Sequence, residues 1–271
     1  TSVQKQDFLD AVDRIIGGLE KKNKIISEEE KKTIAYHEAG HATVSWMLEH
    51  ANPLVKVTIV PRGRSLGAAW YLPEERSLNT TEQILDEMCA ALGGRAAESV
   101  IFNKISTGAL SDLEKVTKQA MAMVTIYGLD EKIGNVSYYD SQNQGYGFTK
   151  PYSEETAKII DQEIKKIIDS QYKRAQSILK KHEDKLHQLA NKLLETEVIF
   201  KEDLEVIFGK RPFEKEVIKK SPEDKKDVKT KPLKKAATAK KSAWISYSTL
   251  ISVFVAKLLQ MNTFAVKWVK I

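Results

Sequence analysis

His37-Glu38-Ala39-Gly40-His41 is the stretch from which the rest of this chain is read. It has the form H-E-x-x-H. On an α-helix, residues four apart share a face, one turn above each other. His37 and His41 then aim one imidazole nitrogen each at a single cation. Glu38 stands beside the first of them, where a carboxylate can take a proton from water activated by that cation. Two neutral imidazoles next to a base fit a hydrolytic zinc site. The pattern alone also describes two surface histidines flanking an ordinary glutamate.

The flanking residues supply the helix that the first reading needs. Ser27-Glu28-Glu29-Glu30 has the form of a capping box, with Ser27 accepting from the Glu30 N–H and Glu30 reaching back. Its three glutamates complement the positive end of the helix dipole. Ile34, Ala35, Ala39, Ala42, Trp46 and Leu48 recur near helical spacing, and Asn52-Pro53 ends the run. Gly40 costs a helix about 1 kcal/mol relative to Ala. Its place between the histidines predicts close approach of another backbone or of the metal site.

A catalytic zinc usually has three protein ligands. Of the other histidines, His50 lies too far along the helix, and His182 and His187 sit in a Lys-rich stretch that reads as a solvated face. The single cysteine, Cys89, stands among Met88, Ala90, Ala91 and Leu92 and reads as a small core residue. The third ligand should be a carboxylate, and sequence distance does not say which.

Four segments in order carry a resemblance: Lys31-Lys32-Thr33-Ile34-Ala35-Tyr36 leading into the histidine motif, Val57-Thr58-Ile59-Val60-Pro61-Arg62-Gly63, Leu92-Gly93-Gly94-Arg95-Ala96-Ala97-Glu98, and Ser106-Thr107-Gly108-Ala109-Leu110-Ser111-Asp112-Leu113. Together they resemble the peptidase domain of the FtsH family of membrane-anchored, ATP-dependent zinc proteases, over about residues 7–213. The resemblance implies a mainly α fold with a minor β part, namely a helical zinc metallopeptidase domain with a small hairpin or sheet beside the motif helix. It implies Asp112 as the third zinc ligand beside His37 and His41, and Glu38 as the catalytic base. It also implies a homo-hexameric ring, unfolded or membrane proteins as substrates in protein quality control, and attachment to a membrane through a part preceding this chain. The expected place is a bacterial inner membrane with the peptidase facing the cytoplasm, or alternatively an organelle inner membrane. Gly67-Ala68-Ala69-Trp70-Tyr71-Leu72-Pro73 favours the bacterial type.

The residues agree with Asp112. Ser106-Thr107 can cap a helix from about Ala109 to Tyr127, with Gly128 as its stop, which puts Asp112 in the first turn. Leu54 to Val60 alternates as a strand, and Leu66 to Leu72 reads as a second. Such a hairpin can be purely structural, or its edge can receive a substrate peptide as an added strand. Thr80 to Phe102 reads as one helix, in which Arg95 and Glu98 would form a buried structural pair. Residues 137–150 read as a polar loop. Ser153 to His182 is a long amphipathic helix, followed by helices over about Glu183 to Glu195 and from Phe200. In the family these helices would make ring contacts; by themselves they read as a bundle.

Residues 1–26 resemble the end of an ATPase domain and a hinge linker at Gly17-Gly18, leaving 27–213 as the peptidase domain. The chain has no G-x-x-x-x-G-K-[ST] run. ATP and Mg²⁺ are therefore expected only in a longer parent, of which this chain would be the C-terminal piece. The net charge of +6 belongs to the tail: residues 214–241 hold 11 Lys against 5 acidic residues. Outside residues 214–271 there are 29 basic and 32 acidic residues, so the high isoelectric point is no sign of nucleic-acid binding. Residues 214–243 read as a Lys-rich disordered linker. Residues 244–271 form an apolar extension whose longest charge-free run, Ser242 to Ala256, falls short of the roughly 20 residues of a membrane span. It reads as an interfacial anchor or as an out-of-frame extension with no selected role. A single cysteine excludes an internal disulfide and fits a reducing compartment.

Overall fold

Ser27 starts the first helix: its Oγ accepts from the Glu30 N–H at 3.2 Å. The reciprocal half of the capping box is absent, so one oxygen does the capping. Helix α1 (Glu28–Trp46) carries Glu28, Glu29 and Glu30 in its first turn. Every residue from Ile34 to Trp46 is buried. The apolar spacing predicts one buried face; α1 is instead surrounded, because its small residues let neighbours approach on all sides. It also stops at Met47, short of Asn52-Pro53. His50 therefore lies beyond the helix, where its N–H donates to Asp86 at 3.0 Å.

The computed structural model describes residues 11, 14–15, 18–20, 26–63, 65–72, 77–139 and 151–213. Most of the 1–26 hinge segment, residues 140–150 of the polar loop, the stretch 214–243 and the extension 244–271 lie outside the described residues. So does Pro73.

The single helix expected over 80–102 is two. Helix α2 (Thr81–Ala91) begins with a complete capping box between Thr80 and Gln83. Helix α3 (Gly93–Phe102) follows directly, with Leu92 at φ −81° and ψ −7° between them. A tight packing contact sits just after the break. A Cβ on Gly40 would lie 2.5 Å from both Gly93 O and Ala97 Cβ. The two backbones touch at the Gly40–Gly93 crossing, which only glycine on both sides permits.

Strands β1 (Leu54–Thr58), β2 (Ala68–Tyr71) and β3 (Val198–Phe200) form an antiparallel sheet in the order β2-β1-β3. The β1–β2 pairing is the expected hairpin, with a register shift between Leu54 and Lys56. β3 was not expected. Three residues are too few to show a period, and Ile199 becomes a strand residue by pairing opposite Val57.

A 3₁₀ turn (Thr107–Ala109) leads into α4 (Leu110–Thr125), and Gly128 follows at φ 62°. Helix α5 (Glu154–Lys181) starts at Ser153, whose Oγ accepts from Thr156 N–H at 3.2 Å. Helices α6 (Glu183–Thr196) and α7 (Lys201–Phe208) complete the order. One core packs α1 and the sheet against α6 through Val44, Val57, Leu186, Leu189, Leu193 and Ile199. A second, around Met88, Leu92, Val116 and Met123, joins α2, α4 and α5. The fold is mainly helical with a small sheet, as the sequence implies. Among the described residues no helix is long and apolar enough to cross a membrane.

Candidate metal centre

Helix α1 stacks the two imidazoles of His37 and His41 with ring centroids 4.8 Å apart. Asp112, in the first turn of α4, closes the group from the other side. Its Oδ2 lies 3.4 Å from His37 Nε2 and 3.5 Å from His41 Nε2. These three residues form a cluster able to hold a metal ion, with one donor atom from each within 4.8 Å of the others. Zinc–donor bonds of about 2.0–2.2 Å in tetrahedral array separate donors by roughly 3.3–3.5 Å. The histidine–aspartate distances fit that ion.

The far ring nitrogens set the tautomers. His37 Nδ1 donates to Glu98 Oε1 at 2.6 Å, and His41 Nδ1 donates to the Ala90 carbonyl at 2.9 Å. Both partners only accept, so in the neutral rings each Nδ1 carries the proton and each Nε2 keeps its lone pair for the shared point. Space at that point is kept by Gly94. A Cβ there would overlap His37 Nε2 and come within 2.6 Å of His41 Nε2. The donor chemistry, spacing and clearance all fit a resident zinc.

The electrostatics favour positive charge at the same place. At His37 burial opposes the charged form, but the carboxylates of Asp112 and Glu98 outweigh it and raise the pKa from 6.5 to about 10. At Asp112 burial pushes upward, and the two imidazoles overcome it and hold the carboxyl well below its usual range. A cation and a proton answer the same demand here. Glu38 behaves differently. Burial raises its pKa, with His41 and His37 pulling the other way. A carboxylate shifted upward is a better base near neutral pH.

These groups open on a cleft of about 970 Å³, whose walls include Gly67, Ala68, Ala69 and Tyr71 from β2 and its approach. β2 is an edge strand. At its start, a Cβ on Gly67 would lie 2.8 Å from Glu38 Oε1. The sheet edge thus runs against the candidate base.

The structure brings together all four residues named from the sequence: His37, Glu38, His41 and Asp112. It corrects two others. Glu98 is buried, but its partners are His37 and Ser106, not Arg95. A glutamate on a helix gives no sequence signal for such a bond. His187 is not simply solvated, since its Nδ1 lies 2.7 Å from the Tyr36 hydroxyl. Cys89 is fully buried in the core, and burial pushes its thiol up to about 12.

Fold and site together define a metallopeptidase domain of the H-E-x-x-H kind. Residues 24–207 match the model of Peptidase family M41, and the chain belongs to that family. It is 66% identical over 209 residues to the ATP-dependent zinc metalloprotease FtsH of Parabacteroides distasonis, covering 77% of this chain and 31% of the relative. The FtsH of Rhodothermus marinus is 54% identical over 215 residues, covering 78% and 31%. The mitochondrial ATP-dependent zinc metalloprotease FTSH 3 of Oryza sativa subsp. japonica is 51% identical over 214 residues, covering 79% and 27%. Bacterial relatives thus rank above mitochondrial ones in identity. The chain spans about a third of the length of the curated relatives it matches, or slightly less.

Proposed function

We propose that this chain is the zinc endopeptidase domain of an ATP-dependent, membrane-anchored quality-control protease. The observation that carries the reading is the convergence of His37 Nε2, His41 Nε2 and Asp112 Oδ2 beside the buried Glu38. His37, His41 and Asp112 hold the ion. When bound, zinc supplies a Lewis acid that lowers the pKa of a coordinated water to about 7 and polarises the scissile carbonyl. Glu38 takes a proton from the attacking water and returns it to the leaving nitrogen as the C–N bond breaks. The cleft edge formed by β2 receives the substrate as an extended strand through main-chain hydrogen bonds, which suits low sequence specificity. Supporting that role, Ala68 and Ala69 line the cleft, and β2 is an edge strand.

The names and greater length of the FtsH relatives support an ATP-dependent parent with further domains. Unfolded or membrane proteins as substrates and a homo-hexameric assembly are what the family resemblance implies for that parent. The higher bacterial identities favour a bacterial parent; a place at the inner membrane with the peptidase facing the cytoplasm is what the family resemblance implies for it. A non-catalytic scaffold with a structural metal would need a fourth protein donor, and among the described residues the metal-binding group has three.

The test is Glu38→Gln in the full-length parent. The variant should keep one zinc and lose cleavage of an unfolded substrate such as casein by at least about 100-fold. Wild-type cleavage by that variant would refute the mechanism. Casein cleavage by this chain, with and without a chelator and with the oligomeric mass measured, separates an active domain from a scaffold or an inactive fragment.

A further inference from the structure

We propose that Ser106 is a positioning residue that holds Asp112 in register with the histidines of α1; the proposal rests on the reading of His37, His41 and Asp112 as zinc ligands. Asp112 stands in the first turn of α4, which the second core holds chiefly from Val116 onward, but the residues that lead into that turn have few attachments. Residues 103–108 are all exposed, and Ala109, at the start of α4, makes no side-chain cap. Within this stretch Ser106 makes a three-way link. Its N–H donates to Glu98 Oε2 at 2.6 Å, and its hydroxyl donates to Glu98 Oε1 at 3.0 Å. The same hydroxyl accepts from the Gly108 N–H at 3.1 Å, fixing the 3₁₀ turn that leads to Asp112.

Glu98 Oε1 also accepts from His37 Nδ1. One buried carboxylate therefore grips a zinc-binding imidazole and the base of the turn that delivers Asp112. The links close a ring: His37 to Glu98, Glu98 to Ser106, Ser106 through the turn to Asp112, and Asp112 back to His37 across 3.4 Å. Fixing the loop before the ion arrives spares the ion that ordering cost. Partners one bond removed from a metal are commonly worth 10–100-fold in affinity. Ser106 is one step further out but retains a backbone link, so an effect near the lower figure is expected.

The experiment is competition for zinc between the full chain and a chromophoric chelator, with melting temperatures of the metal-free proteins as the measure of folding. Ser106→Ala should bind zinc about tenfold more weakly while melting within a few degrees of the wild type. Ser106→Thr, which keeps the hydroxyl, should restore the affinity. Wild-type affinity in Ser106→Ala would overturn the proposal, as would equal weakening in Ser106→Thr. Failure of the wild-type chain to bind one zinc would instead refute the metal-site reading beneath it.

Discussion

The two arms of the metal centre are built in opposite ways. The histidine arm lies on α1, buried without a gap from Ile34 to Trp46. Its ligand spacing follows from helix geometry alone, and the surrounding core holds it rigid. The aspartate arm is the first turn of α4, a helix whose buried core residues begin at Val116; it is entered through exposed residues 103–108 and a 3₁₀ turn that polar links through Ser106 and Glu98 help to dock. Burial secures the first arm throughout; in the second, full burial within α4 starts a turn beyond the ligand, and directional hydrogen bonds align the turn before it. The difference predicts that mutations in the histidine arm, the ligands themselves apart, act mainly on stability. Mutations in the aspartate arm should act mainly on zinc.

The largest expected effect tests the packing of the first arm. Gly40→Ala gains about 1 kcal/mol of helix propensity. Its Cβ would press on Gly93 O and Ala97 Cβ at 2.5 Å, and neither a carbonyl nor an alanine can swing aside. A net loss of about 3 kcal/mol in urea denaturation is expected. A stabilised variant would mean that the α1–α3 contact is looser than described.

pH should come next in size, measured on the chelated protein. The raised pKa of His37 contributes stability that is complete below 6.5 and lost as pH rises through about 10. Glu38 is also raised, so it acts in the same direction. The lowered pKa values of Asp112 and Glu98 contribute stability present above 3.8 and 4.5, respectively, and lost as pH falls. Metal-free stability should therefore peak between about pH 4.5 and 6.5. Saturating zinc should move the peak upward, because the ion binds deprotonated ligands. An unmoved peak would count against a shared site for proton and metal.

The smallest effect sharpens the contrast. Ser27→Ala removes the cap of α1 and should cost about 1 kcal/mol. Zinc affinity should not change, because burial rather than the cap fixes His37 and His41. A drop in affinity would show that the histidine arm is less preformed than its burial indicates.

This asymmetry also explains what could be read from the chain. His37, Glu38 and His41 are legible because their chemistry follows a local period, and Ser27, Thr80 and Ser153 mark helix starts by side-chain chemistry. Asp112 is not legible from spacing: its approach depends on tertiary docking, and a resemblance was needed to choose it. β3 has no local signal, because Val198–Phe200 becomes a strand only by pairing with β1. The break at Leu92 is not legible from local sequence, and the close contact beside it, with Gly40, comes from another helix. Glu98 looked like half of a local pair, whereas its partner His37 is 61 residues away.

The central claim is that these two arms hold one zinc between three protein donors. Anomalous diffraction at the zinc edge, on crystals of this chain grown with zinc, tests it most directly. A single strong peak bonded to His37 Nε2, His41 Nε2 and Asp112 is predicted. A peak ligated by Glu98 in place of Asp112, or no peak beside the histidines, would contradict it.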